Sequence, residues 1–468
     1  MLPIIYTPTV GEAVKRFSAL YLSPRGLTLS TDSIDHAHEA VNNVPLDDVR
    51  MIVATDASAI LGIGDQGLGG MAISIGKLAI YTAGGGIGPD KVLPVELDVG
   101  TNRGSLREDP NYLGADRARL TSRPYRNFID RFVDAVKQRY PKAVIQWEDF
   151  AKDSAFAVLE RYRNVVPSFN DDIQGTGAMA LAGVLSACRI KGEDLADQRF
   201  LISGAGAGGI GVAEMLLQGL EQTGLTRQQA LERILVLDSR GVLTADRELE
   251  PYKQAYAHDP AFLERLGTDA AAGLENLARA FRATALIGLS GQGGQFSRAL
   301  VETVHANTPR PIIFPLSNPT ENTEVLPADA FEWTGGHALV AAGSPFPPVK
   351  LNGEEYQVAQ GNNAFVFPGL GFGSVLSRAH TVTDNMILAA ALALADYTAE
   401  RHPDRLYPPV AELQQASIAV TARVMAAAVQ DGVAGDFGIY ELDEHALVQF
   451  VRERFWRPEY LPYRVPAS

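Results

Sequence analysis

The chain has 468 residues, of which 46% are hydrophobic and 21% are charged, and this composition is typical of a globular protein with two or three domains. A formal net charge of −14, with no run of basic residues, argues against nucleic acid or an anionic membrane as a partner. The only cysteine, Cys188, excludes an internal disulfide and a cysteine-based zinc site, so a bound metal would need carboxylate ligands, which favour Mg²⁺ or Mn²⁺.

The first region, residues 1–172, alternates apolar runs with helical patterns. Its start has neither a basic segment nor a long apolar run, and no later run looks long enough to span a bilayer, so we expect a cytoplasmic protein. The segments "RMIVATD", "VLPVELDVG" and "AVIQWEDF" predict strands, and "YRNFIDRFVDAVKQRY" predicts a helix. The pattern predicts a mixed α/β N-terminal domain.

Two pairs of adjacent acids follow apolar segments in this region. Glu148 and Asp149 come after "AVIQW", while Asp171 and Asp172 separate "VPSFN" from the small-residue helix start "IQGTG". Helix capping accounts for one acid of a pair, because a carboxylate satisfies free backbone N–H groups. A second acid in apolar surroundings is costly unless a cation or hydrogen-bond donors compensate it. The two pairs could therefore supply oxygen ligands for Mg²⁺ or Mn²⁺.

Residues 173–430 predict a doubly wound, Rossmann-like parallel sheet. Strand-like "RFLIS" leads through a glycine-rich turn and a helical pattern to "RILVLDS", and "TALIGLS" and "RPIIFPLSNPT" predict two more strands. Alanine-rich helices follow "GNNAFVFPGLGFGS". We expect a two-domain α/β protein in which residues 431–468 form a C-terminal helical tail.

The dinucleotide motif G-x-G-x-x-G occurs at least twice. One copy has its glycines at positions 62, 64 and 67, and it contains Asp65, which would repel a pyrophosphate. The other copy, Gly204, Gly206 and Gly209, follows a strand and opens a helix. The next strand ends in Asp238, an acid that would hydrogen-bond a ribose and favour NAD over NADP. We assign the dinucleotide to the second copy, with a structural glycine-rich turn as the alternative; nearby Arg240 leaves the strictness of NAD use open.

Nine motifs follow one another along the chain in this order: "YTPTVG", "LGIGDQG", "GKLAIYTAGGG", "LPVELDVGTN", "WEDFA", "FNDDIQGTG", "PLSNPT", "GSPF" and "QGNNAFVFPG". Together they resemble the malic enzyme family, which includes the malolactic enzymes, over nearly the whole chain. The resemblance implies decarboxylation of malate with NAD and a divalent metal, Mn²⁺ or Mg²⁺. It also implies a homo-oligomer, a dimer or a tetramer.

The resemblance assigns roles to the acids and to a lysine. It implies that Glu148, Asp149 and Asp172 bind the metal and that Asp171 belongs to the proton network beside it. Lys77, in "SIGKLAIYTA", resembles the general base of the family. Because its sequence neighbours are small or apolar, we expect desolvation to lower the pKa of Lys77 towards neutrality.

Three further residues match family motifs. Tyr6 resembles the general acid that protonates C3 of enolpyruvate. Asn318 in "SNPT" and Asn363 in "GNNAF" resemble amides that orient the substrate, and Asn318 is also expected to contact the cofactor. Without the resemblance, Tyr6 could be a structural tyrosine and the asparagines could be turn residues.

The chain departs from the family pattern at Ala59, where many malic enzymes have an arginine that grips a substrate carboxylate. Malolactic enzymes also lack that arginine, so conversion of malate to lactate with bound NAD stays open beside oxidative decarboxylation to pyruvate. A non-catalytic dinucleotide sensor is a third alternative, but it would have no need of the base and the metal ligands. Arg103 in "DVGTNRG" is a candidate replacement for the missing arginine.

Overall fold

The computed structural model describes residues 2–6, 9–20, 25–60 and 62–460. The N-terminal part contains the helices α1 (Leu2–Ile5), α2 (Thr9–Lys15), α3 (Phe17–Leu20), α4 (Ala37–Asn42), α5 (Met71–Ala83), α6 (Gly104–Arg107), α7 (Ser122–Arg139) and α8 (Lys152–Tyr162). Its strands are β1 (Leu27–Ser30), β2 (Met51–Thr55), β3 (Val92–Asp98), β4 (Val144–Trp147) and β5 (Ser168–Asn170).

These strands form a parallel sheet in the order β1-β3-β2-β4-β5, in the part of the chain that the structure describes. Trp147, the last residue of β4, pairs with Asn170, the last residue of β5. Parallel strands end at the same edge of a sheet, where ligands of open α/β sheets bind. Both predicted acid pairs therefore directly follow strands that end at the same edge of the sheet.

A π-helical turn, Asp171–Gly175, leads directly into the second part of the chain. The helices there are α9 (Thr176–Lys191), α10 (Ala207–Gln222), α11 (Arg227–Leu231), α12 (Pro260–Arg265), α13 (Leu274–Phe281), α14 (Arg298–Asn307), α15 (Pro327–Trp333), α16 (Phe367–Leu376), α17 (Asp384–Arg401), α18 (Leu413–Gln430) and α19 (Glu444–Arg454). The strands are β6 (Phe200–Ser203), β7 (Ile234–Asp238), β8 (Gly241–Val242), β9 (Ala285–Gly288), β10 (Ile312–Pro315), β11 (Leu339–Ala342), β12 (Val349–Leu351), β13 (Glu354–Tyr356) and β14 (Ala359–Gln360).

The second sheet has the order β14-β11-β10-β9-β6-β7-β8 over the described residues, and it is parallel except for the β7–β8 pair. Strand β6 lies next to both β7 and β9, with helix α10 leading from β6 to β7. The predicted two-domain α/β fold with a Rossmann-like parallel sheet is confirmed. The predicted boundaries, 1–172, 173–430 and 431–468, stay a prediction, and the first of them falls within the Asp171–Gly175 turn.

The segment Asp171–Lys191 is long and apolar enough to cross a membrane, but 78% of its most apolar stretch is buried inside the protein. That burial is typical of a core helix. The C-terminal helices also pack inward, and glycines permit the closest approaches. A Cβ on Gly371 in α16 would lie 2.6 Å from the ring of Tyr81 in α5, so α16 packs against the helix that carries Lys77.

Candidate active site

The predicted metal ligands come together at the carboxyl edge of the first sheet. One carboxylate oxygen from each of Glu148, Asp149 and Asp172 lies within 4.8 Å of the others. Adjacent residues of a strand point to opposite faces, but Asp149 has a left-handed backbone with a φ of 57°, which ends the extended conformation. The backbone N–H of Asp149 donates to Asp172 Oδ2 at 2.8 Å. This set of oxygen donors fits a divalent cation such as Mn²⁺ or Mg²⁺.

Helix capping was the alternative role for these acids, but a neighbouring residue provides the cap. The side chain of Asn170 accepts a hydrogen bond from the backbone N–H of Ile173 at 2.9 Å and caps the turn that follows. Asp171 and Asp172 are therefore not needed as that cap. Both are buried, so their negative charges need other partners.

Two of the buried acids, Glu148 and Asp172, bind protons more tightly than usual. Burial raises the pKa of Glu148 well above its usual value; Lys77 opposes this effect, and the neighbouring acids add to it. For the same main reason the pKa of Asp172 is raised to about 6. Acids that resist ionisation together need a cation if all of them are to be charged at neutral pH.

Lys77 lies among these acids. Its side chain is 4% exposed, and Nζ lies 2.6 Å from Asp171 Oδ2 and 2.8 Å from Glu148 Oε1. Burial lowers the pKa of Lys77 more than any other single effect, but the charges of Asp171 and Glu148 together outweigh it and raise the pKa well above its usual value. The predicted pKa shift towards neutrality is therefore wrong in direction. The prediction considered only the sequence neighbours of Lys77, whereas both carboxylates come from segments distant in sequence.

Tyr6 lies against the helix that carries Lys77. The Lys77 Nζ is 5.3 Å from the centre of the Tyr6 ring. A Cβ on Gly76 would lie 3.1 Å from that ring, so the absence of a side chain there lets Tyr6 approach α5. Burial raises the pKa of Tyr6 well above its usual value; Lys77 opposes the rise, and the nearby acids strengthen it. The phenol therefore keeps its proton, as a general acid must.

Asn363 reaches the same cluster from the C-terminal half of the chain. Its Nδ2 donates to Asp171 Oδ2 at 3.1 Å, to the Asp171 carbonyl at 3.2 Å and to Thr176 Oγ1 at 3.0 Å. These contacts hold Asp171 beside Lys77. They also bring Asn363 within the proposed site, where its predicted role in orienting the substrate stays a prediction.

Asn318 lies beyond the end of β10, in the second sheet. Its Oδ1 accepts a hydrogen bond from Ser344 Oγ at 2.6 Å. The first glycine loop approaches this segment closely, since a Cβ on Gly62 would lie 2.5 Å from Pro319 Cδ. Asn318 thus lies where the two parts of the protein meet.

The second glycine loop has the geometry expected of a dinucleotide site. Gly204 has a φ of 116°, and a Cβ there would lie 2.4 Å from the Leu289 carbonyl. A Cβ on Gly209 would lie 1.8 Å from the Gly204 carbonyl, which only glycine permits. Around Gly206, the residue before α10, no described atom lies within 4 Å of a Cβ. The N-terminus of α10 is therefore open to an approaching phosphate group.

Asp238 ends β7 as predicted, but its charge is compensated. Both of its carboxylate oxygens accept from Arg247 Nη2, at 2.8 and 2.7 Å, and Lys253 Nζ lies 3.4 Å away. The predicted preference for NAD over NADP assumed that Asp238 is an unpaired carboxylate, which would repel the 2′-phosphate of NADP. Its pairing with two cations weakens that argument.

The position of the missing family arginine lies beside the acids. The N–H of Ala59 donates to the Asp149 carbonyl at 3.1 Å. Arg103 is exposed and donates to Gln66 Oε1 at 3.1 Å, at the first glycine loop. Its part in binding a substrate carboxylate stays a prediction.

Three site residues escaped the sequence analysis. The ring centre of Phe367 lies 4.5 Å from Lys77 Nζ. Tyr81 donates from its hydroxyl to Gln146 Oε1 at 2.5 Å, and Gln146 Nε2 donates to Glu148 Oε2 at 2.7 Å. Two signals were available: a glutamine inside an otherwise apolar strand, and a tyrosine four residues after Lys77 on one helix face.

Comparisons with known protein families cover both parts of the chain. The family model "Malic enzyme, N-terminal domain" matches residues 1–163, and "Malic enzyme, NAD binding domain" matches residues 173–429. The chain is 41% identical to the NAD-dependent malic enzyme of Pseudomonas savastanoi pv. phaseolicola and 42% identical to that of Escherichia coli K12. Each alignment covers 99% of this chain and 82% of the relative.

Solved structures share the fold. The malic enzyme of Entamoeba histolytica superposes with a TM-score of 0.68 at 22% identity, over 97% of this chain and 80% of that one. The NAD-dependent malic enzyme of Thermotoga maritima gives 0.61 at 22% identity, over 91% of this chain and 92% of that one.

Proposed function

Because the chain belongs to the malic enzyme family, we propose that it oxidises malate with NAD⁺ and removes CO₂, so that pyruvate and NADH are released. The observation that carries this proposal is the buried cluster in which Lys77 contacts both Asp171 and Glu148, beside the grouped acids. A buried base joined to a proton acceptor and to a metal-ligand set suits the oxidation of an alcohol.

The metal proposal concerns three acids. Glu148, Asp149 and Asp172 would hold Mn²⁺ or Mg²⁺, since they offer only oxygen ligands and lie close enough together. A cation held by these acids would supply positive charge that stabilises an oxygen anion of the substrate.

Lys77 would accept the proton of the C2 hydroxyl as hydride leaves C2 for NAD⁺. The ammonium group must first release a proton, and Asp171 lies 2.6 Å from Nζ, close enough to receive it. We propose that Lys77 and Asp171 act as a pair, with one proton moving to Asp171 as another leaves the substrate. Asn363, hydrogen-bonded to Asp171, would hold that carboxylate in place.

Tyr6 would complete the reaction as the general acid. Loss of CO₂ leaves an enolate, which becomes pyruvate when C3 receives a proton. Burial and the nearby acids keep the Tyr6 phenol protonated, and its ring lies against the same helix as the base. Tyr6 is thus suited to donate that proton.

The cofactor would lie on the second sheet. Gly204, Gly206 and Gly209 would receive the pyrophosphate, Asp238 would contact the adenosine ribose, and Asn318 would lie near the nicotinamide end and the substrate. We also propose a cytoplasmic location and a homo-oligomer, a dimer or a tetramer; light scattering on the purified protein would measure the oligomeric state.

The test is a product assay with malate, NAD⁺ and Mn²⁺. We expect NADH and pyruvate in equal amounts, and no turnover after chelation of the metal. Ala59, beside Asp149 where the family arginine is missing, keeps malolactic activity as the second candidate. Lactate without net NADH would establish that second activity, and the absence of every product would contradict both.

A further inference from the structure

We propose that Gln146 and Tyr81 are positioning residues for the metal site, acting through the Glu148 carboxylate. They form a hydrogen-bonded chain, defined here as the Tyr81–Gln146–Glu148 chain, in which each member is at most 1% exposed. The inference rests on the proposed function, because it concerns how strongly the acid cluster holds a cation.

The hydrogen bonds of the Tyr81–Gln146–Glu148 chain run in one direction, from Tyr81 to Glu148. The Tyr81 hydroxyl donates to the amide oxygen of Gln146, Oε1, at 2.5 Å. The amide nitrogen, Nε2, then faces Glu148 Oε2 at 2.7 Å and must donate to it. This hydrogen bond holds the Glu148 carboxylate in one orientation.

The Tyr81–Gln146–Glu148 chain also determines which oxygen of Glu148 is available to a cation. Oε2 is occupied by Gln146, while Oε1 lies 2.8 Å from Lys77 Nζ on the side of the other acids. Residues that hydrogen-bond to a metal ligand orient that ligand in many metal sites. Here the orientation leaves Oε1 as the oxygen of Glu148 for a cation.

Helix α5 connects the Tyr81–Gln146–Glu148 chain to the catalytic base, Lys77. Lys77 and Tyr81 are four residues apart in α5, so their side chains lie on the same face, one turn apart. Tyr81 is fixed by the ring of Phe367, whose centre is 5.1 Å away, and by the close approach of Gly371. A shift of α5 would therefore disturb the base and the metal ligand together.

The test measures Mn²⁺ binding without malate or NAD⁺, by electron paramagnetic resonance of free Mn²⁺. Gln146→Met keeps the length of the side chain and removes both hydrogen bonds, so we expect the Mn²⁺ dissociation constant to rise about 10- to 100-fold. Tyr81→Phe removes only the outer bond and should give a smaller rise, below about tenfold. The matched control is Tyr407→Phe, which removes another buried hydroxyl, bonded to the Met179 carbonyl, and should leave Mn²⁺ binding unchanged.

Coupling separates positioning from a merely structural role. If the two residues act in series, Tyr81→Phe should add little to the dissociation constant in the Gln146→Met background. Equal Mn²⁺ affinity in wild type and a folded Gln146→Met variant would overturn this inference while leaving the proposed function standing, as would fully additive effects. Absence of Mn²⁺ binding in wild type would overturn the proposed function itself.

Discussion

At Lys77, burial and charge act on the pKa in opposite directions. Burial favours the neutral amine, whereas Asp171 and Glu148 favour the ammonium ion and prevail. The fold therefore does not hold Lys77 as a neutral amine that could act as a base by itself. The fold supplies a lysine next to a carboxylate that can take its proton, and Asp171 is as important as Lys77 in this account.

Removal of either member of this pair should stop turnover. We expect Lys77→Ala and Asp171→Asn each to lower kcat by about 10²- to 10⁴-fold, the usual contribution of proton transfer by a positioned side chain. The control is Lys191→Ala, because that side chain is also buried and paired with an acid, Glu193 at 2.7 Å. Steady-state kinetics with malate measure the effect, and a Lys77→Ala variant within tenfold of wild type would contradict the assigned role.

The metal ligands allow a second test at single residues. Asp172→Ala should weaken Mn²⁺ binding by at least about 100-fold and abolish metal-dependent turnover. NADH binding, followed by its fluorescence, should change little because the glycine loop belongs to another element. Asp130→Ala, which loses an aspartate paired with Arg161 in the same domain, is the control. Normal Mn²⁺ affinity in Asp172→Ala would remove this residue from the ligand set.

Asp238 provides a test of cofactor choice. Replacement by serine should weaken NAD⁺ use through loss of the ribose contact. The same change frees Arg247 and Lys253, which now pair with Asp238, to bind a 2′-phosphate. We expect the ratio of kcat/KM for NADP⁺ over NAD⁺ to rise at least about tenfold. An unchanged ratio would place the adenosine ribose elsewhere.

Among the elements, helix α5 is the one that carries the base. Its start is held by Glu96 of β3, a fully buried acid whose Oε1 accepts from the N–H groups of Gly69 at 2.6 Å and Gly70 at 2.5 Å. Burial raises the pKa of Glu96 to about 7, the backbone N–H groups oppose the rise and Asp98 adds to it. Tyr112, another titratable group near Glu96, stays neutral at this pH, and burial raises its pKa to about 12.

This raised pKa predicts a pH dependence of stability. Between about 4.5 and about 7 the folded protein keeps a proton on Glu96 that the unfolded chain has lost, so this residue's contribution falls as pH rises through that window. Glu96→Gln removes the titration. We expect the melting temperature of Glu96→Gln minus that of wild type to increase from pH 5 to pH 7 and to level off above it. A pH-independent difference would contradict the prediction.

The elements were largely predictable because buried strands and amphipathic helices have distinct periods. The predicted strands correspond to β2, β3, β4, β6, β7, β9 and β10, and the predicted helices correspond to α7, α10, α17 and α18. The sequence analysis did not identify the other strands, which have two to four residues each and little pattern of their own; these are β1, β5, β8, β11, β12, β13 and β14.

At the scale of the whole molecule, the site forms where the two parts of the chain meet. Asp171 accepts a hydrogen bond from Asn363, and a Cβ on Gly211 in α10 would lie 1.9 Å from the Ile173 carbonyl. The helix after the glycine loop therefore packs directly on the turn that carries the acids. Motifs could identify the acids and the loop, but contacts such as Lys77 with Asp171, 94 residues apart, depend on tertiary packing. The predicted direction of the Lys77 pKa shift was wrong for that reason.

The central claim is that the acid cluster and the glycine-loop dinucleotide form one active site. Paramagnetic relaxation tests it directly, since Mn²⁺ accelerates the relaxation of nearby protons. With wild-type protein, Mn²⁺ should strongly increase the relaxation rate of the nicotinamide protons of bound NAD⁺, and Asp172→Ala should abolish the increase. No increase in wild type, or an equal increase in both proteins, would contradict the claim that metal and nicotinamide meet at these residues.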